Sequence, residues 1–479
     1  MEAKILKYYP WVLIALTAIG CYVFYQCYYP YHFFYQEQNQ LFLWSSDYIA
    51  GYFEQPGGLA LLTGDFLTQF YYYLYAGSAI LTGCILITGT LTFAALRNFR
   101  LRRALAVLPA LTVMALLTVS HFAVSFRLSA TCAVMGWALM LWLVSLLSKQ
   151  IPKATSYVAM VAGAVAYLLF GVPAMKPLRA PDFILEKNFA VENEYRFGNH
   201  DKVIDIVRKS EGWNNQMLFF YNLVMAQRGQ LPDHLLDFIP NYLGTFEKIG
   251  PETDRLTIIN MNELYWLLGD MTFTERAAMM TNVFAPDNRN VRMIQRLAEC
   301  NLVSGDTLAA EKYLRLLDKT FVYKKWADNI RKHGKDIYAQ KMRLVNHHDT
   351  ITVSDNAHFL MMQLLDAHPD NAMALDYILC SDLLLKDIAT FKRDYDRYCS
   401  ADGLPDRDVL LHRIYTTRLY QEALCIWLAG TKAPNGWWQQ YIKVPDVLHR
   451  FQQYNMQRGS SRFRDTYWYY FDKIKEPKI

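Results

Sequence analysis

Five long apolar runs, none containing Asp, Glu, Lys or Arg, crowd into the first 180 residues, at 8–26, 74–95, 104–122, 128–147 and 155–172. A bilayer core about 30 Å thick takes about 20 apolar residues in a helix. Inside it a lone segment satisfies its backbone only as a helix. The expected fold is therefore all-α, with a polytopic membrane domain of about five spans over residues 1–180. Residues 181–479 return to ordinary charge density and amphipathic spacing, and read as a soluble domain.

The basic residues orient this domain. Lys4 and Lys7 precede the first run, Arg97, Arg100, Arg102 and Arg103 separate the second and third, and Lys149 and Lys153 separate the fourth and fifth. Residues 26–76 contain no Lys or Arg, and only Arg127 lies between the third and fourth runs. Basic loops stay in the cytoplasm. The expected setting is a bacterial inner membrane, with a cytoplasmic N-terminus and a periplasmic C-terminal domain. Lys176 and Arg179, just past the fifth run, oppose this mildly.

Residues 58–95 could hold two spans, but that would move the arginine cluster outside. Residues 58–73, which include Asp65 and Gln69, are therefore read as an interfacial or re-entrant helix. The first run continues past Cys21, so it reads as a retained span rather than a signal peptide.

The soluble part carries a repeating pattern. Gly198, Gly229, Gly269 and Gly305 recur at intervals of 31, 40 and 36 residues, each between two amphipathic stretches. Glycine there suits the turn of a helical hairpin. Periods near 34 suggest an array of the tetratricopeptide type, stacked into an α-solenoid that binds proteins. The clearest unit runs from Leu297 to Leu314. The tail, with Trp437, Trp438 and the Tyr467–Phe471 cluster, is expected to pack as a cap or plug.

Function classes narrow by exclusion. The eight cysteines are scattered without a CxxC pair; the four in the soluble part, Cys300, Cys380, Cys399 and Cys425, permit disulfides but read as buried free thiols. No metal motif such as HExxH occurs, and nothing calls for a cofactor. The net charge of +5 is modest and its one basic cluster has a topological role. It points to membrane lipid and away from nucleic acid. The first external segment, residues 26–73, holds Glu37, Asp47, Glu54 and Asp65 with no basic residue. Residues 41–53 form an amphipathic stretch, and Pro56-Gly57-Gly58 forces a turn after it. Asp47, Glu54 and Asp65 are the candidate catalytic carboxylates. Arg127, and less directly His121, fall near the same face.

This opening, a single span and then an external loop with surface helices and an acid, resembles the first module of membrane glycosyltransferases that use polyprenyl-phosphate sugars. The resemblance covers about the first 100 residues. It implies a catalytic base at Asp47, with Glu54 or Asp65 as weaker matches. Over most of its length the chain also resembles uncharacterised envelope proteins of Bacteroidetes-type bacteria. The stretches 53–59, 64–70 and 296–302 carry that likeness. It implies a multi-span N-terminal half and a tetratricopeptide-like C-terminal half.

Two functions follow as expectations. In the first, the chain is a non-enzymatic scaffold or assembly factor that presents its helical repeats to an envelope protein. In the second, it is a transferase acting on a lipid-linked sugar.

Overall fold

Every regular element in the computed structural model is a helix, and no strand occurs among the described residues, which are 2–147, 179–239, 255–285, 289–345, 356–399 and 414–475 with a few isolated positions between. The chain divides into two compact units. The first is Met1–Ala190 with Ala285–Gln295 and Glu311–Arg331; the second is Val191–Phe284 with Arg296–Ala310 and Lys332–Ile479.

In the first unit, α1 (Glu2–Cys27), α2 (Tyr31–Gln38), α3 (Ser46–Phe53) and α4 (Gly58–Thr68) lead into α5 (Ala76–Asn98), α6 (Arg103–Ser120) and α7 (Leu128–Leu147). Four of these are long and apolar enough to cross a membrane: Tyr8–Cys27 of α1, and all of α5, α6 and α7. The fifth run, at 155–172, lies largely outside the described residues, as do Lys149 and Lys153. α4 is an 11-residue helix and is too short to be a span.

The four long helices run alternately up and down. Trp11 of α1 packs edge-on against Phe93 near the end of α5, with ring centroids 5.2 Å apart. Asn98 donates to Ser145 of α7 at 2.9 Å, so α5 and α7 finish at one end. At the other end Gln36 of α2 donates to the carbonyls of Val124 and Phe126, at 3.0 and 3.1 Å. The 28–75 and 121–127 connections therefore share one end of the bundle, and Arg97–Arg103 sits at the opposite end.

Polar residues within the spans satisfy themselves locally. Thr88 donates to the Cys84 carbonyl at 2.7 Å, Thr92 to that of Thr88 at 2.8 Å and Thr118 to that of Met114 at 2.8 Å. Small residues let the helices close up: a Cβ on Gly89 of α5 would lie 2.4 Å from the Met114 sulfur of α6.

The second unit surrounds helices that are buried nearly all round, among them Asn215–Gln227 and Ala372–Leu384. Consecutive helices pack in pairs: His200–Lys209 on Asn215–Gln227, Arg255–Leu268 on Met271–Phe284, Ala357–Ala367 on Ala372–Leu384, and the last of these on Ile388–Cys399. Asn214, Asn356 and Asn371 cap helix N-termini by accepting from backbone N–H groups three residues on, at 3.0, 3.0 and 3.2 Å.

Gly198, Gly229, Gly269 and Gly305 all lie at helix ends with φ between 66° and 89°. At Gly198 the chain closes with Asn199 N–H donating to the Glu194 carbonyl at 2.8 Å, a Schellman turn. The same turn recurs without glycine at Lys386 and Lys432, at φ 58° and 50°. Glycine spacing alone does not reveal those two.

The tail packs into this unit. Trp468, Tyr467 and Tyr470 are buried. The Trp468 indole donates to the Glu422 carbonyl at 2.8 Å, and the Tyr467 and Tyr470 hydroxyls donate to the carbonyls of Leu383 and Leu384 at 2.8 and 2.7 Å. Cys300, Cys380 and Cys425 are buried free thiols. The Cys399 side chain lies outside the described residues.

One charged cluster is built into the second unit. Arg296 pairs with Glu263 and Glu299, each at 2.8 Å, and lies 4.3 Å above the Trp266 ring. Lys341 sits on the same ring at 4.8 Å and donates to the Trp266 carbonyl. Burial, with the Arg296 charge second, pulls the Lys341 ammonium down from its ordinary range to about 7. Between about pH 7 and the ordinary lysine range the unfolded chain then binds more protons than the folded one. Stability should accordingly rise with pH across that window. Thermal unfolding at pH 7 and pH 9.5 is expected to show the rise in the natural protein, and Lys341→Met to flatten it.

Candidate functional site

α3 and α4 form one wall of a cavity of about 300 Å³ in the first unit. Their turn explains the wall. Gly57 has φ 76°, a conformation that favours glycine. A Cβ on Gly58 would strike the Tyr52 carbonyl oxygen at 1.8 Å, so no larger residue lets the two helices fold back this sharply. α4 in turn packs closely on α7: a Cβ on Gly64 would be 2.4 Å from the Ser129 backbone.

The lining joins acids and bases from distant positions: Asp47, Tyr48 and Tyr52 of α3, Asp65 of α4, Arg127 from the 121–127 connection and Arg289. Asp47 is exposed in the first turn of α3, where the helix dipole favours a negative charge. It accepts a long 3.4 Å contact from the Ser46 hydroxyl. Asp65 accepts from the Tyr52 hydroxyl at 2.8 Å. Tyr52 lies 2.9 Å from the Tyr48 hydroxyl, which reaches the Leu41 carbonyl at 2.8 Å. Burial, with the Asp65 charge next, pushes the Tyr52 phenol well above its usual range. Burial also raises Tyr48. Both tyrosines therefore stay protonated as donors at neutral pH. The Arg289 guanidinium lies 4.8 Å from the centre of the Tyr48 ring.

Arg289 is brought here from far along the chain by a polar seam. Its neighbour Asn290 donates to Asn39 at 3.1 Å, Arg292 donates to Gln38 at 3.1 Å, and Tyr323 donates to the buried Glu37. Trp44 adds a backbone bond to the Lys319 carbonyl at 2.7 Å. These bonds fasten α2 and the 41–45 stretch to Ala285–Gln295 and Glu311–Arg331.

The candidate carboxylates separate on this geometry. Asp47 and Asp65 line the cavity, whereas Glu54 is exposed at the C-terminal cap of α3 and outside the lining. Arg127 joins them. His121 does not: it is buried, with Nε2 2.7 Å from the Thr131 hydroxyl. Arg289, Tyr48 and Tyr52 were not singled out from the sequence. The four-residue spacing of Tyr48 and Tyr52 on one face of a short helix was the available signal. Arg289 had none, being more than 200 residues from the loop it joins.

Two carboxylates, two guanidiniums and two phenols around one cavity suit a small polar molecule carrying an anionic group. A family profile covers the chain at residues 4–180 and 172–474. The chain belongs to the family of unknown function DUF6057. No curated protein and no solved structure matches it. The DUF6057 match spans both the apolar bundle and the helical second part, and the cavity residues fall inside it.

Proposed function

We propose that this DUF6057 member is a membrane transferase whose cavity takes the headgroup of a polyprenyl-phosphate-linked sugar. The observation that carries the reading is the placement of Asp47, Asp65, Arg127 and Arg289 around one cavity at an end of an apolar helix bundle. Arg127 and Arg289 hold the phosphate through charge-assisted hydrogen bonds. Tyr52 and Asp65 orient the sugar hydroxyls. Asp47 takes the proton from the acceptor hydroxyl as its oxygen bonds to the anomeric carbon. The bond from that carbon to the phosphate oxygen breaks, and polyprenyl phosphate leaves with the electron pair.

The setting proposed is the inner membrane, with the cavity on the periplasmic side. Arg97, Arg100, Arg102 and Arg103 lie at the end of the bundle away from the cavity, which fits a cytoplasmic location for them.

The test is lipid content. Purified protein is expected to carry polyprenyl phosphate or its glycosylated form, detected by mass spectrometry of the extracted lipid. The Arg127→Gln/Arg289→Gln double variant should lose about tenfold or more of it, since each charge-assisted contact contributes about 1.5–3 kcal/mol. Equal lipid content in both proteins would overturn the reading.

A second reading is a scaffold. The helix pairs turned at Gly229 and Gly269, with the same left-handed glycine backbone at Gly198 and Gly305, support a tetratricopeptide-like solenoid that presents its surface to an envelope protein. It differs from the first reading in leaving function untouched by Asp47→Asn.

A further inference from the structure

Three helices of the second unit bring one histidine and two aspartates to a point. His358 lies at the start of Ala357–Ala367, Asp382 near the end of Ala372–Leu384 and Asp394 within Ile388–Cys399. Each offers a ligand atom, and these atoms lie within 4.8 Å of one another. His358 Nε2 contacts Asp394 Oδ2 and stands 4.0 Å from Asp382 Oδ1.

The charges here are unevenly answered. Asp394 is fully buried, but it has His358 on one oxygen and Arg393 Nε at 3.1 Å on the other. The Asp382 side chain is only 5% exposed, and its Oδ2 has no hydrogen-bond partner among the described residues. A buried carboxylate without a partner is costly. Its facing neighbours are a second carboxylate and an imidazole nitrogen, all of which are ligand atoms for a cation.

We propose that His358, Asp382 and Asp394 form a binding site for one divalent cation of the Zn²⁺ type. Imidazole with carboxylates suits zinc, whose bonds to N and O are about 2.0–2.2 Å. Donors around such an ion stand about 3–4 Å apart, so small side-chain rotations that part His358 from Asp394 make room for it. Arg393 remains on the outer oxygen of Asp394 and orients that carboxylate. His358 is 29% exposed, which gives the ion and its completing water an entry path. The bound ion would clamp three successive helices of the second unit.

The probe is Zn²⁺ alone, added to full-length protein in detergent after chelator treatment. Equilibrium dialysis with metal counting is expected to give a site that Asp382→Asn and His358→Gln each weaken by roughly 100-fold or more. Zn²⁺ should also raise the unfolding temperature of the natural protein and not that of Asp382→Asn, with helix content by circular dichroism as the check that the variant folds. Absence of Zn²⁺ binding to the natural protein would overturn the proposal. So would binding that both folded variants retain, because the ion would then sit on other side chains.

Discussion

Asp47→Asn is expected to cut sugar transfer by about 10²–10⁴-fold while leaving donor binding unchanged. The substitution keeps the shape of the side chain and removes only its ability to take a proton. Asp47 is exposed at the start of α3, so folding should not suffer. Lipid-linked sugar and a hydroxyl acceptor, mixed with purified protein in nanodiscs, give the rate; retained lipid gives the binding. Glu54→Gln is the matched control, because Glu54 lies outside the lining and should leave the rate intact. Full transfer by Asp47→Asn would remove the catalytic role and favour the scaffold reading.

Arg296→Leu should destabilise the second unit by about 3–5 kcal/mol, because it leaves the buried Glu263 and the partly buried Glu299 without their shared cation. Glu263 and Glu299 have side chains only 6% and 16% exposed, and both are paired to Arg296 at 2.8 Å. Arg296 also donates to Asn262 at 3.1 Å. A loss of this size corresponds to an unfolding temperature lower by roughly 10 °C. The double variant Arg296→Leu/Glu263→Leu should recover part of the loss, since one of the stranded charges goes with its partner. Unfolding followed by circular dichroism checks both. An unchanged temperature in Arg296→Leu would show that the cluster is solvated.

The apolar bundle was legible because its signal is local. Uncharged runs of about 20 residues leave the backbone no choice but helix. The Pro56-Gly57-Gly58 turn was equally plain, and it places α3 against α4. The loop between α1 and α5 was harder. Residues 41–45 looked continuous with a helix, yet they lie outside any helix, and the Trp44 N–H bonds the Lys319 carbonyl, a partner nothing nearby announces. α2 was not anticipated either; its weak amphipathic pattern hides Glu37 and Gln38, polar residues buried against Tyr323 and Arg292. Asp47, Asp65 and Arg127 could be named from charge and position. Arg289 could not, because its place depends on tertiary bonds made by Asn290 and Arg292. In the second unit, glycine marked four turns. Lys386 and Lys432 adopt the same backbone and stay invisible to a search for glycine.

Photocrosslinking tests the central claim most directly. A polyprenyl phosphate with a diazirine next to its phosphate, irradiated with full-length protein in nanodiscs, marks the residues that touch the headgroup. The expected adducts fall on residues 40–65 and on the peptide containing Arg289, and excess unlabelled polyprenyl phosphate removes them. Adducts confined to the apolar faces of the spans, or to the second unit, would contradict a headgroup site in this cavity.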